Sequence, residues 1–457
     1  MSFPRYPKYK DSGVEWLGEV PQHWEVRRLK SLVEEPLKYG ANESAELDDR
    51  TLPRFVRITD IDDDGGLRDE TFKSLPTEVA EPYLLKEGDV LLARSGATVG
   101  KSFIYSKEWG KACFAGYLIR ARLRDSHCMP TWLYYFCQTN GYWAYVVGSQ
   151  IQATIQNVSA EKYANLYLPL APRAEQTLIA SFLDRETSKI DGLVGEQRRL
   201  IELLKEKRQA VISHAVTKGL NPHAPLKPSG IEWLGDVPEH WGVMRLKHVK
   251  SDDKNAFVDG PFGSNLKSEH FIDDGDAYVI ESGFATQGRL DVADLKTISL
   301  DHFRTVSRSE TKGGDIIIAK IGAQFGKSSI LPTLDKPAVV SGNSLKLTIN
   351  PQRCEVKFVH WHLTNLKQLG AIDDIVNGTA QPALSLGEMN NLPMLVPPLD
   401  EQKAIVNFLE TQLQEFDTLT AEAERGIELL QERRTALISA AVTGQIDVRG
   451  LVETEAA

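Results

Sequence analysis

Cysteine is scarce in this chain. The four thiols, Cys113, Cys128, Cys137 and Cys354, are scattered through 457 residues with no CxxC pair and no histidine at zinc-ligand spacing, which argues against a disulfide framework and a structural metal site. Long apolar runs are missing too, and the polar opening MSFPRYPKYKDSG has no apolar stretch ahead of a cleavage site. A cytoplasmic chain with no membrane association is expected. Positive charge is also in short supply. Against 63 Asp and Glu stand 53 Lys and Arg, a formal net charge of -10, the reverse of the surplus with which a free-standing nucleic-acid binder neutralises phosphates. Any contact with nucleic acid must rest on local patches or on basic partners. With 42% hydrophobic and 25% charged residues the composition is that of a soluble chain able to bury sizeable cores, and the length suggests about three domains.

What the chain has in quantity is internal repetition. Residues 12 to 30, SGVEWLGEVPQHWEVRRLK, match residues 229 to 247, SGIEWLGDVPEHWGVMRLK, at 14 of 19 positions. GDVLLARSGATVGKS from Gly88 matches GDIIIAKIGAQFGKS from Gly314, and Pro172-Arg-Ala-Glu175-Gln176 matches Pro398-Leu-Asp-Glu401-Gln402. Residues 33 to 87 and 250 to 313 share almost nothing and differ in length, so one scaffold carries two different faces. Trp16, Trp24, Trp233 and Trp241 recur identically in the repeated opening segment and are expected to pack it onto the scaffold rather than to stack on bases.

Beyond each P..EQ the pattern is helical. Ile179, Leu183, Ile190, Leu193, Leu200, Leu204 and Val211 recur at three- and four-residue steps or their sums, and Leu409, Phe416, Leu419, Leu430 and Leu437 form a second stripe. Charged residues fill the other faces, predicting helices of about 40 residues, roughly 60 Å long. Gly192, Gly195 and Gly426 weaken them by roughly 1 kcal/mol each relative to Ala, so an antiparallel pair is expected. VLLA, IIIA and AYVI read as short buried strands, and the stretches TWLYYFCQT from Thr131 and FVHWHLTNL from Phe358 as amphipathic helices. The fold class expected is α+β: two mixed α/β domains, two long antiparallel coiled-coil helices and a pseudo-two-fold internal repeat.

The stretch from Gly96 to Ser102, GATVGKS, looks like a phosphate-binding loop, yet three residues rather than four separate its first glycine from Gly-Lys-Ser, and Gly322 to Ser328 repeats the short spacing. Nucleotide binding survives only if that spacing is tolerated. The duplicated WLGEVPQHW opening, the GD…G..GKS loop and the P..EQ start of each helix together resemble the specificity subunit of type I restriction-modification systems, from about Tyr9 to Asp447. The resemblance implies two target recognition domains at 1–171 and 228–397, each reading part of a double-stranded DNA target. Helical spacers would lie at 172–227 (with a linker) and 398–445, with a tail at 446–457. It further implies that two modification subunits dock to form an adenine-N6 methyltransferase and that restriction subunits join for ATP-dependent translocation and cleavage. S-adenosylmethionine, ATP and Mg would then belong to the partners, and no cofactor to this chain. The missing motifs agree. The one Pro-Pro, Val396-Pro397-Pro398-Leu399, lacks the amide and the ring that would hold a flipped adenine, Glu355-Val-Lys357 is a common pairing, and the ten histidines show no HExxH.

The candidate DNA contacts lie on two segments. Gly96 and Gly100 permit a tight loop after a buried strand, presenting Arg94, Ser95, Thr98 and Lys101 outward, as the second copy presents Lys320, Gln324 and Lys327. Lys101 and Lys327, shared by both copies, suit phosphate contacts. Residues that differ, Arg94 against Lys320 and Thr98 against Gln324, are placed to read bases. The second segment is an amide-rich run containing Gln152, Thr154 and Gln156, with Thr379 and Gln381 in its counterpart. Plain structural turns, and a coiled-coil adaptor without DNA readout, stand as alternatives.

Overall fold

A computed structural model describes residues 3–44, 46–62, 65–149, 157–261, 263, 265–376 and 383–451. The chain forms two compact units, Met1–Arg198 with Glu424–Ala457, and Arg199–Ala423.

In the first unit the opening segment folds as a hairpin, Tyr9–Asp11 against Glu19–Pro21. It continues as Glu25–Arg28, which pairs antiparallel with Tyr167–Leu170. The variable region therefore leaves the scaffold and returns to it at one place. The second unit repeats this with Leu226–Pro228 against Asp236–Pro238 and Gly242–Arg245 against Pro393–Val396. Trp24 and Trp241 are fully buried beneath the opening segments. Trp24 packs edge-on to Trp132 at 5.5 Å and Trp241 edge-on to Phe358 at 6.4 Å, while Trp16 lies against Phe136. These rings pack the opening segment onto its domain, as expected.

Each variable region is built on a four-stranded antiparallel sheet. Its order is Lys38–Tyr39, Leu118–Ala121, Val90–Ala93, Ser102–Ile104 in the first unit. In the second it is Phe257–Asp259, Ser344–Leu347, Ile316–Ala319, Ser328–Ile330. Both VLLA and IIIA are buried along their whole length, because both faces of the central strand are covered and no alternation with polar residues is required. The predicted helices fall at Pro130–Phe136 and Val356–Gln368. The divergent stretches add different strands. The first unit has a parallel pair, Arg54–Val56 with Ala112–Phe114. The second widens the equivalent parallel pair, Ala277–Ile280 with Ala338–Val340, into a four-stranded sheet by adding Lys296–Ile298 and Glu310–Thr311.

The long helices run Arg173–Lys218 and Leu399–Val442, 46 and 44 residues. In the first unit Ile179, Leu183, Ile190 and Val194 pack with Leu437, Ile438, Ala441 and Val442. In the second Leu204, Ile212 and Val216 pack with Ile405, Leu409, Leu413 and Phe416. The start of one helix meets the end of the other in each unit, so the pairing is antiparallel. Asp191 with Arg434 (2.9 Å) and Arg208 with Asp417 (2.5 Å) tie the two helices side to side. The expected stripe needs correction at its middle. Leu193, Leu200 and Leu419 are exposed, and Val194 and Ala423 are buried instead. A seven-residue repeat falls short of two full turns by about 20°, so residues spaced by sevens from Ile179 rotate off the buried face.

Among the described residues no helix is long and apolar enough to cross a membrane and no cluster of His, Cys, Asp or Glu could hold a metal ion. All four cysteines are free and buried, and desolvation pushes the Cys113 and Cys128 thiols up to about 12.

Candidate nucleic-acid interface

In neither copy does a helix follow the GxxxGKS stretch. Val90–Ala93 turns back into Ser102–Ile104, and Ile316–Ala319 into Ser328–Ile330. A phosphate loop works by aiming free backbone N–H groups and a helix N-terminus at the anion. Here the Gly100 and Gly326 amides donate to Ala93 O (3.0 Å) and Ala319 O (2.8 Å), and those of Lys101 and Lys327 to Thr98 O and Gln324 O. The turn is a β-hairpin in which these amides are spent within the loop and no helix N-terminus faces outward, so the geometry of a phosphate loop is not formed. Gly100 and Gly326 have φ of +89° and +81°, and a Cβ there would lie 2.7 Å from Trp143 and from Ile372 respectively. Only glycine fits a left-handed position pressed so closely onto the domain, so the loop is a rigid platform.

On that platform Lys101, Gln324 and Lys327 are exposed, while Arg94, Ser95 and Thr98 are half-buried. The Arg94 guanidinium lies 4.7 Å from the centre of the Tyr39 ring, with Nε 3.5 Å from Asn157 Oδ1. Lys320 departs from the outward orientation expected of it. Its side chain is 12% exposed, and Nζ makes a 3.0 Å ion pair with the buried Asp259 carboxylate. Asp259 also receives Arg308 Nη2 at 3.1 Å.

The chain that follows each amide-rich run returns to the loop. Ser95 pairs with Asn157 and the Val158 amide donates to Arg94 O at 2.8 Å; likewise Ile321 pairs with Ala383 and the Leu384 amide donates to Lys320 O at 2.9 Å. The described chain at the end of the first run and just past the second is thus stitched to the loop. Gln152, Thr154, Gln156, Thr379 and Gln381 themselves lie outside the described residues.

Sequence reasoning missed Tyr39 and Asp259, the immediate neighbours of Arg94 and Lys320. Sheet register makes them equivalent, since Tyr39 pairs with Ile119 and Asp259 with Leu345 on corresponding strands. They sit in stretches that do not align between the copies, so no repeat signal marked them. The motif residues that did align hold the scaffold. Asp89 Oδ2 accepts the Lys86 amide and Asp315 Oδ2 the Lys312 amide, both at 2.8 Å, closing the turn ahead of each central strand. Gln176 is fully buried. Its Oε1 accepts the Met129 amide (3.0 Å), and its Nε2 donates to Ala171 O (2.8 Å) and His127 O (3.0 Å). Gln402 makes the corresponding bonds to Glu355 N, Pro397 O and Arg353 O. Glu175 receives the Tyr6 hydroxyl, Trp24 Nε1 and His23 Nε2; Glu401 receives His240 Nε2 at 2.7 Å.

Residues 21–202 and 262–429 match the family of type I restriction modification DNA specificity domains. Over 438 residues the chain is 24% identical to the specificity subunit of the type I restriction enzyme MjaVIII from Methanocaldococcus jannaschii, covering 94% of this chain and 95% of that one. It is 19% identical to the EcoKI specificity subunit of Escherichia coli K12, with 95% and 92% covered. Among solved structures, a chain from work on assembly and conformational transition of the type I restriction-modification system superposes with a TM-score of 0.66 at 15% identity, covering 93% of this chain and 98% of that one. The HsdS subunit of Thermoanaerobacter tengcongensis gives 0.51 at 16% identity with the same coverage. The duplicated scaffold, the loops at its two sheets and these matches across most of its length place the chain in the family of type I restriction-modification DNA specificity subunits.

Proposed function

We propose that this chain reads a bipartite, asymmetric double-stranded DNA target, one half through residues of 33 to 171 and the other through residues of 250 to 397, and carries no catalytic activity itself. One observation carries the reading: a duplicated rigid platform presents unlike chemistry at equivalent positions, Arg94 laid on Tyr39 in one copy and Lys320 tied to Asp259 in the other. Such a scaffold suits readers of two different half-sites. On this reading Arg94, Ser95, Thr98, Gln324 and the two amide-rich runs lie at base edges, while Lys101 and Lys327 lie at phosphates. The acidic balance of the chain, -10, leaves much of the phosphate neutralisation to partners. Those partners are two modification subunits, which bring S-adenosylmethionine, and restriction subunits, which bring ATP and Mg, all working in the cytoplasm. Exposed leucines on the long helices, Leu193 and Leu429 in the first unit and Leu200, Leu203 and Leu419 in the second, offer apolar surface for docking them.

The test is to produce the chain with its modification subunits and map methylated adenines across a genome. A motif of two unlike half-sites separated by unread bases is expected. Exchanging the region between the opening segment and Pro172 for a foreign one should alter one half alone. A contiguous motif, or a change in both halves, overturns the reading.

A further inference from the structure

Beside each loop stands a second, shorter turn that no repeated motif marks. In the first unit it joins Ala112–Phe114 to Leu118–Ala121, with the Leu118 amide donating to Ala115 O at 2.9 Å and Gly116 and Tyr117 at its tip. In the second it joins Ala338–Val340 to Ser344–Leu347, with the Ser344 amide donating to Ser341 O at 2.9 Å and Gly342 and Asn343 at its tip. The tips are fixed against the loops in the same way. The Arg94 amide donates to Tyr117 O (3.0 Å) and the Lys320 amide to Asn343 O (2.9 Å). They are also backed by the same neighbouring strand, since a Cβ at Gly116 would lie 3.2 Å from Ala41 O and one at Gly342 2.7 Å from Pro261 O. Backbone, glycine and hydrogen bonds coincide; the outward side chain does not. Tyr117 is 65% exposed, a large ring held in solvent beside Arg94, and Asn343 is exposed beside the Asp259-bound Lys320. Among the described residues neither the Tyr117 hydroxyl nor the Asn343 amide has a hydrogen-bond partner.

We infer that Tyr117 and Asn343 are the specificity-determining residues of these turns, each reading one base pair of its half-site. The inference rests on the DNA-reading function proposed above. Burying an exposed tyrosine ring against a base removes apolar surface from water and suits the C5-methyl of thymine, next to the Arg94 guanidinium that lies over Tyr39 and suits guanine. The amide of Asn343 suits bidentate pairing with adenine N6 and N7. Lys320 cannot substitute for it as a reader, because Asp259 already engages its charge. Rigid backing matters because an exposed side chain discriminates only if its backbone is held in place.

The test uses the whole assembly with the variants Tyr117→Asn, Tyr117→Ala and Asn343→Ala, methylome mapping and a melting temperature for each. Both Tyr117 variants should change or relax preference at one position of one half-site. Asn343→Ala should relax one adenine of the other half-site, each by about 10- to 100-fold in relative methylation, with gap, remaining positions and melting temperature unchanged. An unaltered motif in all three variants overturns the inference. So does an equal loss at every site with an unchanged melting temperature, which marks a phosphate or assembly contact. A wild-type assembly that methylates no bipartite motif overturns the underlying reading, and this inference with it.

Discussion

The helix that packs under the four-stranded sheet differs sharply between the two units. Pro130–Phe136 buries Trp132, Leu133, Tyr135 and Phe136, an almost wholly aromatic face. The corresponding turns of Val356–Gln368 place Phe358 where the first unit has Trp132, but His360 and His362 where it has Tyr134 and Phe136. Asn365, in place of Thr139, is fully buried with its amide atoms unpartnered among the described residues, whereas Thr139 satisfies its hydroxyl on Phe136 O at 2.8 Å. Both helices sit under the same sheet and the same opening tryptophan. The scaffold is therefore specified by shape and by a few hydrogen bonds at its seams, and its interior chemistry is free to diverge. At this helix the second unit carries imidazoles and a buried amide where the first has aromatic rings and a hydroxyl, and the imidazoles should make its stability respond to mild acid.

The largest expected effect tests what the units share. Replacing Gln176 or Gln402 with Ala strands two carbonyls and one amide at a buried seam, which should cost about 3 to 5 kcal/mol. Hydrogen exchange should show Gln176→Ala loosening the first unit and Gln402→Ala the second. Protection unchanged in both would mean that water replaces the clasp and that the seam does not depend on it.

The next sharpens what they do not share. Burial lowers the pKa of His362 from the ordinary imidazole value to about 4, and that of His360 likewise. His362 holds its neutral form, Nε2 accepting the Leu395 amide at 3.3 Å. Unfolded imidazole titrates near 6.5, so between pH 6.5 and 4 the unfolded chain binds the extra proton. Stability is then full above about pH 6.5 and is lost as pH falls toward 4. His362 alone can account for up to about 3 kcal/mol. The second unit should open first on acidification, followed by hydrogen exchange at pH 7.5 and pH 5. His362→Phe, which restores the residue of the first unit, should remove about half of that dependence, with His360 accounting for the rest; an unchanged pH profile would show that another group controls it.

The smallest effects lie at the loops. Lys101→Ala and Lys327→Ala should each weaken the assembled complex on all sequences alike and reduce the salt slope by about one. Arg94→Ala and Gln324→Ala should each relax a single base position by about 1 to 3 kcal/mol. Lys320→Ala should behave differently from Arg94→Ala, because its ammonium is already committed to Asp259. Identical profiles for Arg94→Ala and Lys320→Ala in binding titrations against mutated sites would break the comparison between the two loops.

By itself the sequence determined the repeat, the two long helices, the buried central strands and the turn positions. All of these are local patterns: apolar spacing, glycine at left-handed positions, proline and P..EQ at helix starts. It also singled out the loops, because a glycine-framed turn is visible in a dozen residues. What faces what was decided by the tertiary structure. Tyr39 reaches Arg94, and Asp259 reaches Lys320, through strand register between segments far apart in the chain and without resemblance to each other. The aligned Asp89 and Gln176 looked no different from functional residues until their hydrogen bonds placed them at seams. Leu193 and Leu200 fit a helical repeat, yet the drift of a real helix against a seven-residue spacing turned them to solvent. Periodicity is a property of one element; burial and pairing are properties of two, and only the folded chain brings the second one into place.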